Sequence, residues 1–242
     1  MKKSLKIIIC CLTMFLFHGI QAQTADEIVG KHFQAMGGSE KWAQLKTMSS
    51  KTKFTVQGMD IVSSMQLVVN KSLKVEVEVM GNKIVTAIDE GKAWAIRPAM
   101  MGGTGAPEDL PEDQAKAIKA QLNPMGSLFK AKSDGSKIEL QGKENLDGAE
   151  VYVMRVTTPE GNSKDLYVSA NTYFILKEKS KVNVNGQMVD VDSKMSNYKM
   201  IDGLAIPHAV ESYNPMLGAS MLIETTEVEI NPKIDPVVFK RP

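Results

Sequence analysis

Cysteine is nearly absent from this 242-residue chain: two occur, Cys10 and Cys11, both within the first 22 residues. Those residues have the layout of a removable secretory leader. Lys2, Lys3 and Lys6 give a basic start, Ile7 to Phe17 an apolar run too short to span a bilayer, and Gln21-Ala22-Gln23 a cleavage region. With cleavage after Ala22, the expected mature chain has no disulfide, no thiolate nucleophile and no cysteine metal ligand. Lipid attachment is excluded because Ile9 stands before Cys10 and both cysteines lie too early in the apolar run. Histidine is equally scarce: His18 is in the leader, leaving His32 and His208. A zinc site or a conventional Ser–His–Asp relay would have to be built from those two, and no metal, cofactor or catalytic residue is assigned. Charge of one sign is lacking too, with 29 Lys+Arg against 28 Asp+Glu and three of the basic residues in the leader. A slightly acidic remainder gives no electrostatic case for nucleic acid. Beyond the leader no stretch is long and apolar enough for a membrane span, and no linker or strong repeat divides residues 23–242, which are expected to form one domain.

The pattern that is present begins with helices. Thr24-Ala25-Asp26-Glu27 has the spacing of a capping box, and Ile28, Val29, Phe33 and Met36 follow at helical intervals until Gly37-Gly38. Ser39 is expected to cap a second short helix bearing Trp42 and Leu45. From about Met48 the period changes to two: Leu73, Val75, Val77 and Val79 alternate with Lys74, Glu76 and Glu78, giving one buried and one wet face. Tight-turn pairs recur at Gly81-Asn82, Glu90-Gly91, Asp134-Gly135, Asp147-Gly148, Gly161-Asn162, Asn185-Gly186 and Asp202-Gly203. They divide the chain into ten to twelve strands joined by short turns, which favours a meander curling on itself over a Greek key.

One segment breaks this rhythm, Arg97 to Lys130. A loop around Met100, Met101 and Gly102-Gly103 precedes a helix with Ala115, Ile118 and Leu122 on one face, then Asn123-Pro124, Met125, Leu128 and Phe129. A helical insertion in a curled sheet is either a plug in the mouth of the barrel or a lid, and here the lid is expected. Methionine is abundant, 16 residues against 14 aromatics, and it suits surfaces that adapt to flexible apolar partners. The cavity under the lid is expected to be lined by Phe54, Met65, Leu67, Val75, Val77, Trp94 and Met154.

Three short stretches resemble the LolA/LolB-like family of periplasmic lipoprotein-sorting proteins: Ala35-Met36-Gly37-Gly38-Ser39-Glu40-Lys41-Trp42, Tyr198 through His208, and Asn231-Pro232-Lys233-Ile234-Asp235 with the closing Phe239-Lys240-Arg241-Pro242. The resemblance implies a mainly β fold with helices, a half-open antiparallel β-barrel whose mouth helices close. It also implies a periplasmic location and a ligand that is an acyl chain, lipid or lipoprotein. The best-known carriers use an early-strand arginine to latch the lid. Here no arginine precedes Arg97, and Lys51 and Lys53 cannot reproduce a planar bidentate contact, so no latch residue is carried over.

The function expected is therefore carriage of acyl chains in an apolar cavity. The alternative is a non-catalytic envelope module docking on a partner protein. A hydrolase using Glu76 with Glu78, or Asp190 with Asp192, ranks last, because such pairs on a strand face are ordinarily solvated, and Ser39, Ser49 and Ser50 lack a glycine-bracketed nucleophile elbow.

Overall fold

The computed structural model describes residues 23–56, 58–184, 187–214 and 218–242. The leader and the Asn185-Gly186 turn lie outside them. Helix α1 (Ala25–Ala35) opens with the capping box: the Glu27 N–H donates to Thr24 Oγ1 at 3.2 Å, and the Thr24 N–H donates to the Glu27 carboxylate at 3.0 Å. Helix α2 (Ser39–Ala43) follows, carrying the buried Trp42. Six strands come next: β1 (Thr47–Val56), β2 (Met59–Val68), β3 (Ser72–Val79), β4 (Asn82–Asp89), β5 (Lys92–Ile96) and the three-residue β6 (Pro107–Asp109). Helix α3 (Glu112–Lys119), a 3₁₀ turn at Ala120–Leu122 and helix α4 (Ser127–Ser133) interrupt the strands. These resume as β7 (Lys137–Leu146), β8 (Ala149–Thr157), β9 (Ser163–Ser169), β10 (Ile175–Val184), β11 (Gln187–Ile201), β12 (Leu204–Asn214) and β13 (Ala219–Ile230), before a last 3₁₀ turn at Pro236–Phe239.

All thirteen described strands form one sheet in the order β6-β5-β4-β3-β2-β1-β13-β12-β11-β10-β9-β8-β7. Every neighbour pair is antiparallel, and β1 with β13 is the pairing that joins two meanders, β1 to β6 and β7 to β13. The sheet is not closed; β6 and β7 are its two edges. The insertion from Glu112 to Ser133 is the connection between those edges, so a barrel left open is bridged by helices instead of hydrogen bonds. The expected insertion began at Arg97, but the structure gives part of it to the sheet. Pro107 to Asp109 pairs with β5, and Arg97 holds Glu108 at 3.3 Å across the loop.

Register decides which side chains face the helices. Met48, Leu67, Leu73, Ile88 and Ala93 stand opposite one another on successive strands and form a buried inner row beneath Trp42, Ile118 and Leu122. The neighbouring row, Gln66, Lys74, Ala87 and Trp94, faces outward. A second inner cluster packs Ile28 and Val29 of α1 and Leu128 of α4 against Tyr152, Met154, Leu166 and Val168. Phe33 contacts both clusters, and its ring stacks on Phe129 with centroids 3.9 Å apart. On the outer face Trp94, Val85 and Ala87 form a small separate cluster. The Trp94 indole N–H donates to the Phe239 carbonyl at 3.1 Å, and Phe239 is itself buried.

Candidate functional site: an apolar pocket under the insertion

The pocket exists because β12 separates from β13. Those strands pair only from Ala209–Glu224 to Asn214–Ala219, while the later residues of β13 pair with β1. The freed segment Leu204–Ile206 takes the end of α1 as its partner: the Ala205 N–H donates to the Met36 carbonyl at 3.1 Å, and the Trp42 indole N–H to the same oxygen at 2.9 Å. Gly37 makes this approach possible. Its φ is +106°, and a Cβ there would overlap the Gly203 carbonyl oxygen. Two stretches that carry the family resemblance, around Gly37 and Gly203, thus meet at one backbone contact. Pro207 pairs with Tyr198 of β11 and sits on the stretch of β12 that has no β13 pairing. His208 is buried, with Nδ1 2.9 Å from the Ile206 carbonyl.

Beside this junction is an apolar pocket of about 230 Å³. Its fixed walls are Met36 and Trp42 from the opening helices and Ile175, Met195, Tyr198, Ile206 and Val210 from β10 to β12. The remaining wall is Pro124-Met125-Gly126-Ser127, the link between the 3₁₀ turn and α4. Asn123 Oδ1 accepts the Met125 N–H at 3.0 Å, and Gly126 takes φ +82°. A half-buried polar triad ties this wall to the sheet. The Ser127 hydroxyl donates to Glu178 at 2.6 Å, while Lys164 Nζ donates to Ser127 Oγ at 2.7 Å and to Glu178 at 3.0 Å. His32 completes the lining. Its Nδ1 lies 2.8 Å from the Tyr173 carbonyl, which can only accept, so Nδ1 carries the proton and Nε2 is an acceptor. Burial holds the His32 pKa below its ordinary value, with the Tyr173 bond opposing in part. Burial also raises the pKa of Tyr198, whose hydroxyl donates to the Ile175 carbonyl at 2.7 Å.

The structure distributes the sequence-derived site residues widely. Met125 lines the pocket. Met65, Leu67 and Val75 belong to the first inner cluster, as do Ala115, Ile118 and Leu122 from the insertion, so these pack as core beside the pocket and not in its wall. Phe129 is likewise buried core, stacked on Phe33. Phe54 and Val77 share the inner parity but lie farther along the strands, half-buried and outside the clusters. Three placements correct the expectation outright. Trp94 faces outward beneath Phe239, because Ala93 holds the inner position on β5. Met154 is fully buried against α1 in the second cluster. Met100 and Met101 are exposed in a 3₁₀ turn beside Met80, where the Asn82 amide touches both the Met80 carbonyl and the Met100 sulfur, and they are not in the wall of the apolar pocket. Lys51 and Lys53 pair with Glu227 and Asp60, each at 2.8 Å. Of the paired carboxylates, Glu76 is bound to Lys74 at 2.9 Å, Asp192 to Lys177 at 2.6 Å, and Asp190 to Lys181 at 3.9 Å. A larger cleft of about 630 Å³ lies between Lys92, Asp109, Ala115 and Arg241, but the Arg241–Asp109 ion pair at 2.9 Å makes it a charged surface groove. Among the described residues no group of three or more metal-ligating side chains comes together, and no helix is long and apolar enough to cross a membrane.

Solved structures similar in fold include a LolA superfamily protein from Nitrosomonas europaea: TM-score 0.58, 16% identity, covering 90% of this chain and 98% of that one. The fold is LolA-like. A DUF1329 family protein from Desulfovibrio piger superposes on this LolA-like chain at TM-score 0.58 with 13% identity, over 90% of this chain and 98% of its own. A Vibrio parahaemolyticus domain, described as an outer membrane lipoprotein-sorting protein, does so at 0.54 with 12% identity, over 89% and 95%. No protein-family model matches the sequence, and no curated protein matches it.

Proposed function

We propose that this LolA-like chain is an exported periplasmic carrier or chaperone that holds acyl chains of lipids or lipoproteins in the inner-face pocket and catalyses no reaction on them. The observation that carries this reading is the pocket itself. It is apolar, its fixed walls come from the opening helices and β10 to β12, and its last wall belongs to the segment that bridges an otherwise open barrel. Each methylene moved from water into such a site contributes about 0.8 kcal/mol, so acyl chains bind there without specific polar contacts. The wall at 124–127 is tied down by side-chain hydrogen bonds, the kind of attachment that opens without unfolding the sheet. The Vibrio parahaemolyticus domain of this fold is described in terms of lipoprotein sorting, a role of the same kind. Residues 1–22 act in this reading as a secretory leader removed after Ala22, leaving residues 23–242 as a single domain.

A second reading, docking on an envelope protein, is favoured by Met80, Met100 and Met101. They are 70%, 65% and 48% exposed and sit together on one surface. The deciding experiment is purification from the native envelope followed by lipid mass spectrometry. Carriage predicts acyl species in near-stoichiometric amount with an N-terminus at Gln23. A lipid-free protein that co-purifies with a protein partner would favour docking.

A further inference from the structure

The pocket's size and the polarity of its free atoms narrow the ligand further, granting the carrier reading. A methylene fills about the share of volume of a liquid water molecule, about 30 Å³, so about eight methylenes occupy 230 Å³. Enlargement is limited on most sides. The C-cap of α1 is bonded to Ala205 and Trp42 through the Met36 carbonyl, and its last turn is bonded to Tyr173 through His32. Leu128, Met154 and Ile28 in the adjoining cluster are fully buried. The 124–127 wall is tied to the sheet through the Ser127 side chain, and lifting it lengthens the site in one direction.

The side-chain polar atoms left over in the lining are acceptors. The Tyr198 hydroxyl is spent on Ile175, and the Ser127 hydroxyl on Glu178. What remains is the Glu178 carboxylate, which accepts two hydrogen bonds here out of about four it can take, and Nε2 of a neutral His32. Glu178 is the charged residue of the pocket lining, while its partner Lys164, 3.0 Å away, is not part of that lining.

We infer that this pocket takes one linear acyl or alkyl chain whose polar end donates hydrogen bonds, such as a monoacylglycerol, in preference to a free fatty-acid carboxylate or the multi-chain anchor of a lipoprotein. A hydroxylated head satisfies Glu178 and His32. A carboxylate head meets Glu178 as a like charge and finds no free side-chain donor. Two or three long chains exceed the volume several-fold.

The test is isothermal titration of the full chain with 1-monooctanoylglycerol, octanoate and a tripalmitoylated peptide, with competition between them. The expected result is one-to-one binding of the monoglyceride, octanoate at least ten-fold weaker, and no displacement of the monoglyceride by the lipopeptide. Glu178→Gln should shrink the ten-fold preference to about three-fold or less, and Val210→Phe, at a half-buried position on the pocket wall, should weaken the monoglyceride while leaving the circular dichroism spectrum unchanged. Octanoate binding as tightly as the monoglyceride, or a preference unmoved by Glu178→Gln, would overturn the head-group assignment. Lipopeptide that binds and displaces the monoglyceride would overturn the single-chain assignment and leave the carrier reading standing. Binding of none of the three would bring down both.

Discussion

Two glycines seven residues apart should respond to alanine in opposite directions. Gly30 lies inside α1, exposed, with nothing within 4 Å of the position a Cβ would take. Gly37 follows the same helix with φ +106°, and its added Cβ would overlap backbone atoms of Gly203. Gly30→Ala gains helix propensity and loses unfolded-state freedom, a stabilisation of about 1 kcal/mol. Gly37→Ala forces an L side chain into sparsely populated backbone space, about 1–3 kcal/mol. It also pushes apart the α1 end and the β11–β12 turn, straining the Ala205–Met36 hydrogen bond worth about 1 kcal/mol. The sum is about 3 kcal/mol. At about 2–4 °C per kcal/mol for a protein of this length, Tm should rise by about 3 °C in Gly30→Ala and fall by about 9 °C in Gly37→Ala. Urea titration at 25 °C with circular dichroism at the sheet minimum gives the free energies independently. Equal and small effects at the two sites would refute the docking of α1 on the β11–β12 turn, and with it the origin of the pocket.

Other perturbations separate the parts of the site. Ser127→Ala removes the hydrogen bond donated to the ionised Glu178, about 1.5–3 kcal/mol of local stability, together with the one accepted from Lys164, so amide exchange of residues 124–130 should quicken while α1 stays protected. Trp94→Phe loses the bond to the Phe239 carbonyl, about 1 kcal/mol, and should leave acyl-probe affinity unchanged because the ring is on the outer face. For His32 the folded-state pKa lies below the ordinary value of 6.5, so the unfolded chain binds the extra proton first. Stability conferred by the neutral buried ring is complete well above pH 6.5 and is lost as pH falls below it. Urea midpoints between pH 7.5 and pH 5.5 should therefore decline, and His32→Gln should flatten that decline; an unchanged slope would contradict the assignment.

Local signals in the sequence were faithful where one residue type has one use. The Thr24–Glu27 box is present as its spacing required, and the alternation from Leu73 to Val79 gives the inner and outer faces of β3. The meander and the insertion followed from turn pairs and from the one helical period among strands. Periodicity failed where both faces are apolar. In Lys92-Ala93-Trp94-Ala95-Ile96 the small alanines take the inside because α3 packs close, and the outer Trp94 is covered by a C-terminal turn 145 residues away along the chain. Strand β6, Pro-Glu-Asp, carries no strand signal; it forms because β5 offers an unpaired edge. Most of the pocket lining was out of reach for a different reason. Met195 and Tyr198, three apart on β11, both reach the pocket because Asn197 between them takes φ +53° and breaks the alternation. Asparagine tolerates that conformation, a cue too weak to use alone. The tie between Ser127, Glu178 and Lys164 joins residues far apart in the chain, and no local pattern marks it.

The claim that the apolar space behind residues 124–127 is where an acyl chain resides is tested most directly by photocrosslinking. A monoacylglycerol carrying a diazirine in mid-chain would be irradiated with the protein and the modified peptides mapped. The account predicts label on Met125, Met195 and Ile206, and competition by unlabelled monoglyceride. Label confined to Met80, Met100 and Met101, or spread without saturation, would contradict it.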